Sequence, residues 1–155
     1  MSKTAQDVMT KNVIAVEENM MINNLIELFL ENEISGAPVV NNKKKLIGIV
    51  TETDILCSYI DAYIDLNVKF GLKDILGDTQ EDSSTEILFD EDVKVKNIMI
   101  LNPVTVREDT PIKEMAEIMI DNKIHRLIIM RNSIIAGIVS TFDMLYYVAG
   151  RNRDE

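Results

Sequence analysis

The sequence predicts an α+β fold of two tandem βαββα repeats that form a pseudo-two-fold module with a central cleft and an acidic insert between the repeats. Three observations predict it. Two segments match at an offset of 90 residues. Each copy passes from short extended runs to helical apolar spacing and back. The acidic residues gather between the copies rather than along them.

The repeat is the first of these, because a missed repeat misreads the whole fold. At an offset of 90, Val8-Met9 meets Ile98-Met99, Asn12 meets Asn102, Val16 meets Val106 and Glu18 meets Glu108. Ile22, Glu27, Asn32 and Ile34 then meet Ile112, Glu117, Asn122 and Ile124. The offset drops to 89 where Gly48-Ile49-Val50-Thr51-Glu52-Thr53-Asp54 meets Gly137-Ile138-Val139-Ser140-Thr141-Phe142-Asp143. The lost residue falls between Asn41–Lys45 and the shorter Arg131-Asn132-Ser133, polar loop tips where length changes cost least. Repeat 1 is assigned to 1–60, a helical extension and acidic connector to 61–94, repeat 2 to 95–150 and a tail to 151–155.

Within each copy a short extended piece comes first, Val13 to Val16 and Val104 to Val106. A helix follows, with apolar residues at Ile22, Leu25, Ile26 and Phe29 and at Ile112, Met115, Ala116 and Met119, the spacing of one buried face. Thr110-Pro111 predicts an N-cap and a first-position proline for the second of these. Hairpins are expected from Ala37–Val40 with Leu46–Val50 and from Arg126–Met130 with Ile134–Val139. Their continuous apolar runs suit strands covered on both faces. A closing helix starts near Glu52 and near Thr141, the first running long through Ile55, Tyr59, Ile60, Tyr63 and Ile64. Lys43, Lys44 and Lys45 read as a solvated hairpin end.

Composition bounds the function. A chain of 155 residues suits one compact unit on a prior of roughly 100–200 residues per domain. No run approaches the ~18 apolar residues of a spanning helix, and the start lacks a secretory apolar core, so a cytoplasmic protein without membrane contact is expected. Cys57 is the single cysteine, which excludes an internal disulfide or a multi-cysteine metal site, and it is expected to be a small buried helix residue. Net charge is −10, and the stretch from Asp61 to Lys94 holds ten acidic residues against three lysines. That balance opposes nucleic-acid backbones and anionic membranes, and it places the acidity in the connector. The connector suits a solvated linker or a partner-binding insert. One histidine, one cysteine and no nucleophile elbow, zinc-protease or phosphate-loop motif argue against an enzyme. No catalytic or metal-binding residue is assigned.

Three phrases resemble the cystathionine-β-synthase (CBS) domain family. Asp7-Val8-Met9-Thr10 is similar to its opening phrase and is echoed by Asn97-Ile98-Met99. Ile34-Ser35-Gly36-Ala37-Pro38-Val39-Val40 and Ile124-His125-Arg126-Leu127-Ile128-Ile129 are similar to its two strand variants. Each copy ends in Gly, two apolar residues, Thr or Ser, and an Asp three positions on. The resemblance covers Val8 to Leu56 and Ile98 to Leu145. It implies a regulatory module that binds an adenosine-containing ligand such as AMP, ADP or ATP, with S-adenosylmethionine or a vestigial dimerisation scaffold as alternatives. It also implies a homodimer. Because no effector domain is attached, the regulated partner is expected to be another polypeptide or the second copy.

The candidate nucleotide-binding residues follow from that resemblance and carry competing structural readings. Thr51 with Asp54, and Ser140 with Thr141 and Asp143, can close capping boxes on their own helices. They can equally offer a carboxylate to ribose hydroxyls and a helix N-terminus to phosphate. Gly48 and Gly137 sit inside apolar strands, where glycine marks a bulge or a close contact, or leaves room for a flat base against Val13 or Val104. His125-Arg126 has no counterpart in Ser35-Gly36; the pair resembles phosphate-contacting residues of the γ subunit of AMP-activated protein kinase, though a structural histidine and a solvated arginine remain open. The expected arrangement sets the base against Val104 and Ile138, ribose on Asp143 and phosphate near Arg126 and Ser140, with Ile124 and Pro38 from the strand motifs beside them. The first copy, lacking the His-Arg pair, is expected to hold the weaker site.

Overall fold

The computed structural model describes residues 3–70 and 92–151, without the side chains of 62–70. The central part of the acidic connector, 71–91, lies outside the described residues, and its reading with it.

Two sheets organise the chain. In the first, β1 (Val16–Glu17) runs parallel to β2 (Gly36–Val40), which pairs antiparallel with β3 (Leu46–Thr51). In the second, β5 (Thr105–Arg107), β6 (Arg126–Arg131) and β7 (Ile134–Ser140) repeat that order. Helices α2 (Ile22–Glu31) and α5 (Ile112–Asn122) cover the sheets with the anticipated faces: Leu25 and Met115 are wholly buried, and Phe29 and Met119 nearly so. Helices α3 (Glu52–Phe70) and α6 (Thr141–Val148) leave the two hairpins.

The two cores are not built from consecutive sequence. The short helix α1 (Ala5–Val8) and Met9 belong to the core of Met115, Met119, Leu127, Ile129 and Val139. The equivalent α4 (Val95–Ile98) contributes Val95 to the core of Val16, Leu25, Phe29, Val39 and Val50. Each repeat thus lends its opening segment to the other. The backbone bonds repeat at the same offset: Ala5 and Gln6 donate to Thr110 and Glu108, as Val95 and Lys96 donate to Met20 and Glu18. At the far end Thr10 and Ile138 exchange both backbone bonds, while β4 (Ile100–Leu101) pairs with Ile49 and Gly48.

Both strand glycines serve this exchange. An added Cβ at Gly48 would stand 2.9 Å from the Ile100 carbonyl oxygen and 2.9 Å from Met99 Sδ; at Gly137 it would stand 2.4 Å from Met9 Sδ. The register also slips beside each glycine, between Val39 and Val40 and between Ile129 and Met130. Close contact and bulge therefore occur together. Of the two readings of Gly48, close contact and bulge are what the structure shows, and the space beside it is taken by the other repeat's backbone rather than left for a base.

Three further expectations are corrected. Thr110 does not cap α5: Pro111 is the N-cap, with φ −62° and ψ 147°, because the Thr110 carbonyl is taken by Ala5 and Pro111 bridges to Thr4. Cys57 is exposed, since it lies on the outer side of α3, away from buried Ile55. The hairpin strands are not all covered on both faces: β2 is buried along most of its length, but β3 and β7 alternate, which turns Ile49 and Ile138 away from the core. The lysine hairpin end is exposed, and Lys44 pairs with Glu17 at 2.5 Å.

Replacing Gly48 by alanine should lower the unfolding free energy by about 1–3 kcal/mol, the usual cost of forcing extra atoms into a packed site. The Ile100 carbonyl belongs to a paired strand and yields less than a side chain would. Urea unfolding checks this; a variant as stable as the parent would show that the close approach imposes nothing.

Candidate functional site

Each hairpin turns into its closing helix through a Thr/Ser-x-x-Asp corner. At the first, Asp54 Oδ2 accepts the Thr51 backbone N–H and the Thr51 hydroxyl, both at 2.7 Å. At the second, Asp143 Oδ2 accepts the Ser140 N–H and hydroxyl, both at 2.6 Å. The Asp143 N–H returns a longer bond to Ser140 Oγ at 3.3 Å. Both carboxylates close capping boxes. Aspartate reaches here because its shorter arm folds back over the first turn, satisfying donors a helix otherwise leaves open. Asp143 is the one buried charged residue among those described, at 5% exposure. Burying a carboxylate is costly unless hydrogen bonds meet it, and the Ser140 N–H and hydroxyl supply two of them.

Beside the second corner lies a cleft of about 300 Å³ with walls from both repeats. Repeat 1 supplies Val13, Ile14, Ile34 and Pro38; repeat 2 supplies Ile138, Ser140, Asp143 and Arg126. Phe142 and Tyr146 of α6 and Glu33 belong to the same lining. The crossing explains this mixture. Thr10 is bonded to Ile138, so the chain leaving α1 delivers Val13 and Ile14 to the second corner. The set is mostly apolar with few polar groups, the make-up of a small-molecule site.

Arg126, first residue of β6, is the one cation among the described residues lining this cleft. Its Nη2 donates to Ser35 Oγ at 2.5 Å, and its side chain lies across Gly36. Burial pulls the guanidinium pKa down, and Glu52 and Asp54 of the first corner push it back up.

Several expected site residues are placed elsewhere. Val104 packs on the second core rather than against Ile138; by the crossing, Val13 takes that role. Ile124 packs on the same core. His125 is exposed and does not line the cleft, and its backbone carbonyl accepts the Thr141 N–H at 3.0 Å. That bond also withdraws one first-turn amide of α6 from any phosphate, and Thr141 is not a lining residue. Thr51 and Asp54 form a corner of their own, apart from this cleft. Ile14, Ile34, Ser35, Phe142 and Tyr146 were not singled out from the sequence. Ser35-Gly36 carried the only signal, as the position equivalent to His125-Arg126.

A protein-family model described as CBS domain matches residues 5–61 and 95–150. The uncharacterized protein MJ1426 of Methanocaldococcus jannaschii is 31% identical over 152 residues, spanning 90% of this chain and 88% of its own length. Among solved structures, the CBS domain pair of protein MJ0100, in complex with 5′-methylthioadenosine and S-adenosyl-L-methionine, superposes with a TM-score of 0.73 at 20% identity. That match covers 97% of this chain and 98% of the other. CBSX2 in complex with AMP gives a TM-score of 0.69 at 20% identity, over 96% and 97% of the two chains. At such identities the likeness speaks for the fold.

The capping role has its own consequence. Asp54→Ala should cost about 0.5–2 kcal/mol of stability, as for other lost caps, and Asp54→Asn should recover part of it by keeping an acceptor. Chemical denaturation of both variants measures this, and equal losses would remove the cap from the explanation.

Proposed function

This chain belongs to the CBS-domain family, and we propose that its paired repeats form a non-catalytic regulatory module binding an adenosine-containing ligand of the AMP, ADP or ATP class. The observation that carries the reading is the cleft in which an apolar wall from repeat 1 faces a buried carboxylate and a guanidinium from repeat 2. The base lies between Val13, Ile14 and Ile138, over Pro38. Ribose hydroxyls donate to Asp143, and phosphate oxygens accept from Arg126, beside Ser140, whose one hydroxyl proton goes to Asp143. The adenosine ligands of MJ0100 and CBSX2 support carrying this chemistry over.

Arginine suits the task because its planar fork matches phosphate oxygens and stays charged when partly buried. Asp143 suits ribose because a diol presents two donors and a carboxylate accepts both. A ligand can shift the module only by binding one arrangement of the repeats better than another. Phosphate engaging the Arg126 guanidinium, which rests on Ser35 and Gly36 of repeat 1, supplies such a difference. Glu33 and Asp143 against a lone Arg126 favour a second reading, S-adenosylmethionine, whose cationic sulfonium suits a cleft with more acid than base.

The closing helices carry the proposed homodimer. Leu56 and Ile60 on α3, and Phe142 and Leu145 on α6, are each more than half exposed. Apolar residues gathered at the ends of both repeats suit a second copy presenting the same face, and two such chains bring four corners into one assembly. The regulated polypeptide then meets the dimer rather than the single chain.

Titration calorimetry with AMP, ADP, ATP and S-adenosylmethionine tests the ligand. At least one should bind, and Asp143→Ala should weaken it by about 2–3 kcal/mol, as for hydrogen bonds to a charged group. Circular dichroism of the variant confirms that it is folded. Normal affinity in a folded Asp143→Ala chain removes the ribose assignment, and silence from all four ligands leaves the scaffold. Sedimentation of Leu145→Glu should show a monomer where the parent sediments as a dimer; an unchanged assembly would move the interface off α6.

A further inference from the structure

At the seam between the repeats the pseudo-symmetry breaks. Gly36 and Arg126 hold equivalent places, each opening the central strand of its sheet. One has no side chain, and the other fills the vacated space. An ideal Cβ at Gly36 would lie 2.9 Å from Arg126 Nε and 3.1 Å from its Cζ. The guanidinium therefore crosses the dyad and rests on the opposite repeat, where Ser35 Oγ receives its bond at 2.5 Å.

From that position Arg126 addresses both corners. It lines the cleft of Asp143. Its charge partners, Glu52 and Asp54, belong to the other corner. A symmetric module would carry two such cations, one for each corner; here a single guanidinium stands between two carboxylate corners.

We propose that Arg126 is a shared cation that couples the two corners, so that a phosphorylated adenosine ligand held at Asp143 weakens occupancy at Asp54. This rests on the adenosine reading above and names how its two sites communicate. Phosphate at the Asp143 corner engages the guanidinium donors and turns their field toward itself. The Asp54 corner then faces an incoming anion with Glu52 and Asp54 less compensated. Partly buried charges feel this strongly because little water screens them. An uncharged adenosine exerts no such pull, so the coupling follows the phosphate and not the base. The reciprocal effect is required: a ligand at Asp54 weakens phosphate at Asp143 by the same factor.

Calorimetry of the whole chain with AMP and with adenosine separates the cases. For the parent, the two AMP steps should lie further apart than the two adenosine steps by about 5–150-fold, the usual range of site coupling. One AMP step beside two adenosine steps is the limiting form of the same coupling and supports it. In Arg126→Gln the AMP separation should collapse to that of adenosine. Gly36→Ala, which pushes the guanidinium off its seat without removing the charge, should change the AMP separation and leave that of adenosine as it was. Circular dichroism verifies the fold of both variants; if Arg126→Gln does not fold, Gly36→Ala decides. Equal separations for the two ligands in the parent, one step for each, or an AMP separation untouched in the folded variants overturns the shared cation while leaving nucleotide binding intact. No binding of either ligand sinks the adenosine reading and the coupling together.

Discussion

The structure depends on one steric constraint: at Gly48 and Gly137 a strand must let the other repeat's opening segment approach where a side chain would stand. The Ile100 carbonyl and Met99 occupy the first position, and Met9 occupies the second. This contact allows each repeat to lend its opening helix to the other's core, with Ala5 and Val95 wholly buried there. It also sets where the chain goes next. After docking at Ile138 through Thr10, the backbone carries Val13 and Ile14 past the second corner, and the cleft acquires a wall.

The electrostatics of the cleft follow from the same geometry. Two corners close with carboxylates that cap their own helices, and the carboxylates are held by short bonds from Thr51 and Ser140. Capping fixes their orientation before any ligand arrives. A residue that first stabilises a turn can thus serve a ligand at little added cost in ordering. The cation is less evenly shared. Arg126 lies on the symmetry seam because Gly36 leaves room there, and burial there makes each neighbouring charge count.

Much of this was legible in the residues. The duplicated Thr/Ser-x-x-Asp phrases marked both corners, and helical spacing picked out Leu25, Phe29, Met115 and Met119 as core. The strand glycines were visible as exceptions needing a bulge or a close contact, and both are present at each site. What the pattern could not supply was the partner of each exception. The expected site sets Val104 against Ile138 and His125 beside Asp143, and the structure separates both pairs. The exchange of opening segments, which no local pattern shows, decides which repeat's residues meet at a corner. Thr110 likewise reads as a cap by local rule, but its carbonyl is claimed by Ala5, more than a hundred residues earlier.

The sequence by itself determined the elements, their duplication, and which residue types stand at the corners, because periodicity, capping and turn chemistry act over a few neighbours along the chain. Only the tertiary structure decided which repeat furnishes each wall of the cleft and which corner Arg126 addresses. Those outcomes rest on contacts between segments far apart in the chain, and such contacts are chosen by how two surfaces pack, a property that no local run of residues contains.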